Sequence, residues 1–286
     1  MHRLDGHVHA DDNWPGNRYL KAGKGYLETP MGQVHYRDRG PRTSKVPMLL
    51  LHQTPWSMIE FARIQDSLAN LGIRSIAIDT PGYGMSDDPP GDPTLKELAD
   101  NLVPVLDELK LSKVVVAGHH TGASIAVSFA ANHRDRVAAV ILHGMPLFNE
   151  RDLAERLNRK PYDRTPLADG SHLSRLFQGK SATAQTPEML RSRTYALISM
   201  FALSRDFGHY AVYQYQPEND AKAIAAPGLI ITDVNDPLHV MDDRMAALRP
   251  DFKYVEFATK TESLDLMNDP DKWAIIAADF AKKIAK

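Results

Sequence analysis

Cysteine is absent from the 286 residues, which excludes a disulfide framework, a thiolate metal centre and a cysteine nucleophile. Charge of either sign is not in excess: Lys and Arg total 34, Asp and Glu 36. No basic field for nucleic acid and no acidic tail follow from that balance, so no nucleic-acid partner is expected. Long apolar runs are also missing; none approaches the roughly 18 residues a membrane span needs. The opening 16 residues are polar, with His2, His7, His9 and three Asp, unlike a signal peptide. No membrane partner and a cytoplasmic location are the expectations. Gly82-Tyr-Gly84 does not continue to G-x-G-x-x-G, and neither a Walker sequence nor a His-Glu-x-x-His run occurs. Nucleotide, flavin and metal cofactors are therefore not expected. Histidine stops early too: His239 is the last.

What is present centres on residues 113–124, Lys-Val-Val-Val-Ala-Gly-His-His-Thr-Gly-Ala-Ser. A short β-branched run reads as a buried strand, then a glycine-bounded turn, then a helix of small residues. Gly118 and Gly122 bracket His120 at the G-x-Nuc-x-G spacing of a strained strand-to-helix turn that lifts one side chain above a sheet. Glycine is required at both because a Cβ would strike the neighbouring strand or helix. The central position carries His120 where that motif expects Ser.

Before this turn the pattern reads as an arm (residues 1–22), an antiparallel hairpin (26–29 and 33–38), a buried strand (47–51), a helix capped by Ser57 and a strand (75–78). A helix over 95–109 precedes the central unit, and a strand at 137–142 follows it. Strands alternating with helices imply βαβ units and a mostly parallel sheet. From about 148 to 217 only helical patterns occur (152–157, 187–207), so a helical insertion is expected. The sheet resumes at 228–232, followed by a helix (241–248), a strand (254–257) and a final helix from Pro270. The expected division is an arm, 1–22; a core, 23–147 and 218–286; and an inserted cap, 148–217.

Four motifs in this order resemble those of the α/β-hydrolase fold, in the capped form of epoxide hydrolases, haloalkane dehalogenases and small esterases. They are Leu-Leu-Leu-His52-Gln-Thr-Pro55, Asp79-Thr-Pro-Gly-Tyr-Gly-Met-Ser86, the turn at 118–122, and Thr232-Asp-Val-Asn-Asp236-Pro. The resemblance covers about residues 24–285. It implies backbone oxyanion donors at Thr54 and Thr121 and an acid at Asp236, with Glu150 a lesser alternative. Three departures stand out. Gln53 replaces the usual Gly, His120 replaces the nucleophile, and Ser263 stands where a general-base His precedes the final Pro. A Ser-His-Asp mechanism is thereby excluded.

Imidazole is itself a nucleophile or a base near neutral pH. His120 is thus a candidate for either role, with Asp236, or Glu262 and Asp265 from the last loop, as its orienter. The alternative is a buried, hydrogen-bonded histidine in a protein without catalysis. His119 is expected to point the other way, toward Asp79 or the sheet's flank, because neighbours on an extended turn diverge; a metal held by the pair is not expected. His52 reads as structural. Gln53, Trp56, His143, His239, Glu262 and Ser263 complete the candidate pocket, with His239 a possible substitute base and Tyr83 a wall. His172 and His209 are the polar residues of the insertion to inspect. The expected activity is on a small, largely apolar carbonyl compound such as an ester, lactone or β-diketone. A cofactor-free lyase or cyclase using His120 as acid–base, or a non-catalytic ligand-binding protein, are the alternatives. A homodimer is a possible assembly.

Overall fold

The computed structural model describes residues 23–158, 167–181, 190, 194, 207–258 and 269–285. β1 (Lys24–Thr29) and β2 (Gly32–Arg39) form the expected hairpin, and β2 pairs antiparallel with β4 (Ser75–Ile78). All later pairings are parallel. They join β4 to β3 (Met48–Leu51), then β5 (Val114–His119), β6 (Val137–His143), β7 (Gly228–Asp233) and β8 (Lys253–Phe257). The order is β1-β2-β4-β3-β5-β6-β7-β8. The chain reverses its direction of travel across the sheet after β4, so the carboxyl ends of β3 and β5 flank the switch point where such sheets open a crevice.

The central strands β3, β5 and β7 are buried at every residue because helices cover both faces. Alternation divides them cleanly. Leu49, Leu51, Val114, Val116, Val140 and Leu142 join one core cluster. Met48, Leu50, Val115, Ala117, Ala139 and Ile141 join the other, with Phe61 and Trp273. The first face is packed by α4 (Thr121–Asn132), buried at every residue from Thr121 to Ala131. The second is packed by α1 (Ala62–Asn70) and α10 (Pro270–Ile284). Ser57 does occupy an N-cap position, but of a 3-10 turn (Met58–Phe61), and its side chain makes no capping bond. Asp269 caps α10 with its side chain, and Pro270 opens that helix.

α2 (Leu95–Asp100) and α3 (Leu102–Glu108) fill the expected helical stretch. Between β6 and β7 the described residues form only helices: α5 (Glu150–Leu157), α6 (Ser171–Ser181), α7 (Phe207–Gln214) and α8 (Pro217–Ala223). Most of the expected helix at 187–207 lies outside the described residues. Phe207, Ala211 and Val212 of α7 belong to the main core cluster, which places this helix on the body of the domain. α9 (His239–Leu248) links β7 to β8. No helix among the described residues is long and apolar enough to cross a membrane.

Close approach, not flexibility, fixes the two glycines of the central turn. A Cβ on Gly118 would sit 2.1 Å from the Gly122 carbonyl oxygen, and one on Gly122 would sit 2.0 Å from that of Leu51. Both obstacles are backbone, so relief requires moving α4 or β3. Gly122→Ala is expected to cost at least about 1–3 kcal/mol, the usual range for overpacking. Gly23→Ala, with nothing within 4 Å, is expected to stay within about 0.5 kcal/mol. Urea unfolding of both variants checks this, and equal midpoints would contradict the packing described.

Candidate active site

His120 is the residue between β5 and α4, with φ 48° and ψ −112°. A side chain with positive φ is strained by about 1–3 kcal/mol and persists only where surroundings hold it. Here they do. The His120 N–H donates to the His143 carbonyl oxygen (2.9 Å), and the His120 carbonyl accepts from Ala123 and Ser124 of α4. Its Nε2 lies 3.0 Å and 2.9 Å from the two carboxylate oxygens of Asp236. A carboxylate only accepts, so Nε2 carries the proton and Nδ1 keeps its lone pair. Among the described residues Nδ1 has no hydrogen-bond partner, and the side chain is 12% exposed.

Asp236 arrives from the turn after β7, held by Leu238 N–H donating to Oδ1 (2.7 Å). Its carboxylate is buried among three imidazoles. Besides His120, the Nε2 atoms of His119 and His143 stand 3.7 Å and 3.8 Å from Oδ2. Parallel register explains the convergence: His119 pairs with His143 at the carboxyl ends of β5 and β6. The expectation for His119 is therefore corrected. Its ring does not diverge toward Asp79; it lies 4.1 Å, centroid to centroid, from that of His120. The positive φ at His120 folds the second side chain back beside the first. Asp79 is occupied elsewhere, accepting from His35 Nδ1 (2.8 Å) and from the N–H groups of Met58 and Met85.

Behind His119 stands Glu60, fully buried, whose Oε1 accepts from His119 Nδ1. Its Oε2 accepts from the Gln53 N–H at 3.4 Å. The residue thus ties the loop after β3 to the central turn. Glu60 escaped sequence reasoning, although a charge between Ile59 and Phe61 on an otherwise apolar helix face is the signal that could have found it. Gly144, with φ 59°, was also missed: a Cβ there would lie 2.2 Å from His120 Cδ2. Asp242 fixes that turn, its two oxygens each accepting a backbone N–H at 2.9 Å, from Gly144 and Met145.

Electrostatics divide the three rings. Burial alone would lower His119, but the Glu60 and Asp236 carboxylates outweigh it and hold the imidazole raised to about 10. Burial lowers His120, and the adjacent His119 charge adds to this against the pull of Asp236. His143 is pushed well below its usual range by burial and by the same His119 charge. Burial would raise Asp236, yet the surrounding imidazoles, His120 foremost, hold it well below the carboxylate range. Asp242 is raised to about 8, chiefly by burial.

Of the remaining candidates, Thr54 and Thr121 are both buried, and Thr121 opens α4 so that its N–H faces out of the helix start. His52 is structural in its bonding: Thr80 N–H donates to Nε2 (3.0 Å) and Nδ1 donates to the Gln53 carbonyl (2.7 Å). Gln53 is buried and Trp56 half-buried. The Tyr83 hydroxyl accepts from Gly208 N–H (3.1 Å), and its ring sits between His52 and Phe207. His239 turns away from His120, toward Thr232 (2.9 Å) and Glu256 (3.5 Å). Glu150 is exposed at the start of α5. His172 Nδ1 accepts from Leu167 N–H, and His209 stacks on Tyr213. Glu262, Ser263 and Asp265 lie outside the described residues. A cleft of about 360 Å³ opens between Asp92–Thr94 and α7, lined by Phe207, Tyr210 and Gln214, and includes no residue of the histidine cluster.

A sheet with this order, an elbow at 118–122 and an acid after β7 agree with the match of residues 46–193 to the alpha/beta hydrolase fold family. The chain belongs to that family. It is 36% identical over 118 residues to a 2-hydroxy-6-oxononadienedioate/2-hydroxy-6-oxononatrienedioate hydrolase of Burkholderia vietnamiensis, covering 39% of this chain and 40% of that protein. It is likewise 36% identical over 110 residues to a haloalkane dehalogenase of Psychrobacter cryohalolentis, covering 38% and 36%. The matched region thus spans well under half the length of either relative. Among solved structures, the enol-lactonase of Burkholderia xenovorans LB400 superposes with TM-score 0.69 at 20% identity, over 90% of this chain and 100% of that one.

The Asp242 carboxyl makes stability depend on pH. Its unfolded value is about 3.9 and its folded value about 8, so folding takes up a proton between them. The corresponding stabilisation is complete below about pH 4 and is lost as pH rises through about 8. Asp242→Asn removes this contribution, and its unfolding free energy is expected to fall less steeply with pH from 5 to 8 than that of the wild type. Urea titrations at several pH values check this; parallel slopes would contradict it.

Proposed function

We propose that the chain is an enzyme that hydrolyses a small, largely apolar carbonyl compound, an ester, lactone or β-diketone, above His120. The observation that carries this reading is the direct His120–Asp236 contact at 2.9 Å. The family's usual relay from nucleophile through a late histidine to the acid is shortened to one imidazole, which meets the acid itself. With Nε2 donating to Asp236, the Nδ1 lone pair is the reactive atom. It takes a proton from a water that attacks the carbonyl, or attacks the carbonyl itself. Asp236 stabilises the imidazolium that results from either path, and N–H groups of Thr54 and Thr121 would receive the developing oxyanion. The partial match to a dienedioate hydrolase favours a carbonyl substrate, and the insertion at 148–217 is proposed as the cap that selects it.

A panel of p-nitrophenyl esters and aryl lactones tests this. His120→Ala is expected to lower kcat/KM by at least about 10²–10⁴, the usual share of a positioned acid–base group, with the fold intact by circular dichroism. His120→Ser is expected to stay inactive, since His239 faces Glu256 and no histidine follows it in the sequence to serve as the late base. Unchanged turnover in His120→Ala would remove His120 from the chemistry. A vigorous His120→Ser esterase would place another imidazole in the pocket.

A further inference from the structure

The surroundings of Asp236 contain more ligating capacity than a proton-transfer pair uses. One ring nitrogen each from His119 and His120 and a carboxylate oxygen of Asp236 all lie within 4.8 Å of one another. Two of the separations are 2.9 Å and 3.7 Å. A tetrahedral ion with bonds of roughly 2.0–2.1 Å to nitrogen and oxygen has donor–donor edges of roughly 3.3–3.4 Å. The observed edges bracket that value, so small shifts of two rings would accommodate an ion.

A second, independent observation concerns His119. Its Nε2 is buried, aimed at this space, and has no hydrogen-bond partner, while the residue is 1% exposed. Its nearest acceptor, Asp236 Oδ2, stands 3.7 Å away, and leaving a buried polar atom without a hydrogen bond costs about 1–3 kcal/mol. The opposite ring nitrogen is held by the buried Glu60 carboxylate. A carboxylate behind one nitrogen, with the other making no hydrogen bond, is the arrangement that orients a metal-ligating histidine and makes it more basic. Glu60 and Asp236 also bring two carboxylates to one buried cluster, which a dication would neutralise.

We infer that His119, His120 and Asp236 form a binding site for one first-row divalent cation, with Glu60 orienting His119. Two imidazoles and one carboxylate leave a coordination position open, as in catalytic zinc sites, and suit zinc or cobalt better than magnesium or calcium. The cation would displace two protons, the one between His120 Nε2 and Asp236 and the one on His119 Nε2, so the ion excludes both that hydrogen bond and the charged form of His119. This goes beyond the hydrolytic reading and is tested without turnover.

The 286-residue chain, stripped with a chelator, is titrated with Zn²⁺ by calorimetry and with Co²⁺ by visible absorption. One cation per chain is expected, with the absorption of low-symmetry cobalt. His120→Ala and Asp236→Asn are expected to abolish it. Glu60→Gln is expected to weaken it by about 10–100-fold, as loss of a carboxylate behind a ligating histidine does. His239→Ala should bind as the wild type does. Circular dichroism confirms that each variant folds, and if one of them does not, the other ligand variant decides. Failure of folded wild type to bind overturns the inference. So does binding retained in both His120→Ala and Asp236→Asn, which would place the ion elsewhere, for instance on His2, His7 and His9. Ester turnover by the stripped protein would uphold the hydrolytic reading whatever the titrations give.

Discussion

A carboxylate taken out of water needs compensating partners, and the burial of Asp236 is the constraint to which the rest of the centre answers. Desolvation of an ion costs several kcal/mol even after relaxation, and removing one partner of a buried pair costs about 3–5 kcal/mol. Asp236 is compensated by the Leu238 N–H, by the direct bond from His120, and by His119 and His143 standing slightly farther off. None of these partners is close to it in sequence except Leu238. Parallel pairing of β5, β6 and β7 brings their carboxyl ends to one level and thereby assembles the group.

The same constraint accounts for local features that have little meaning singly. His120 tolerates a positive φ because its N–H and its ring are both anchored, one on His143 and the other on Asp236. Gly144 lacks a side chain because His120 occupies that volume. Asp242 holds the Gly144–Met145 turn by its two N–H groups and so keeps that volume open. Glu60 joins the loop after β3 to the ring of His119. Movement in any of these elements would reach the others through packed, hydrogen-bonded contacts.

Within the alpha/beta hydrolase fold, the elbow serves to present one side chain at the switch point of the sheet. This chain keeps the elbow, its two close-packed glycines and the acid after β7, and places an imidazole where the fold commonly presents an oxygen or a carboxylate. A longer side chain at that point spans the distance to the acid. That geometric fact joins the hydrolytic proposal and the cation proposal: both depend on His120 Nε2 reaching Asp236.

Sequence alone determined the βαβ order, the antiparallel entry, the elbow and the start of the last helix. Each is encoded locally, by β-branched runs, by glycine spacing, and by a Pro that opens the last helix. It also located Asp236 as a partner for His120, through the resemblance of residues 232–237 to the acid-bearing turn of the α/β-hydrolase fold. Only the tertiary structure decided the direction of His119, the burial of Glu60 beside it, the nearness of His143 and the turning of His239 toward Glu256. Those outcomes depend on one backbone angle at His120 and on contacts between residues 59 and 117 positions apart, from Glu60 to His119 and from His119 to Asp236. Neither hydrophobic period nor motif spacing carries that information; strand register and the packing of helices against the sheet supply it.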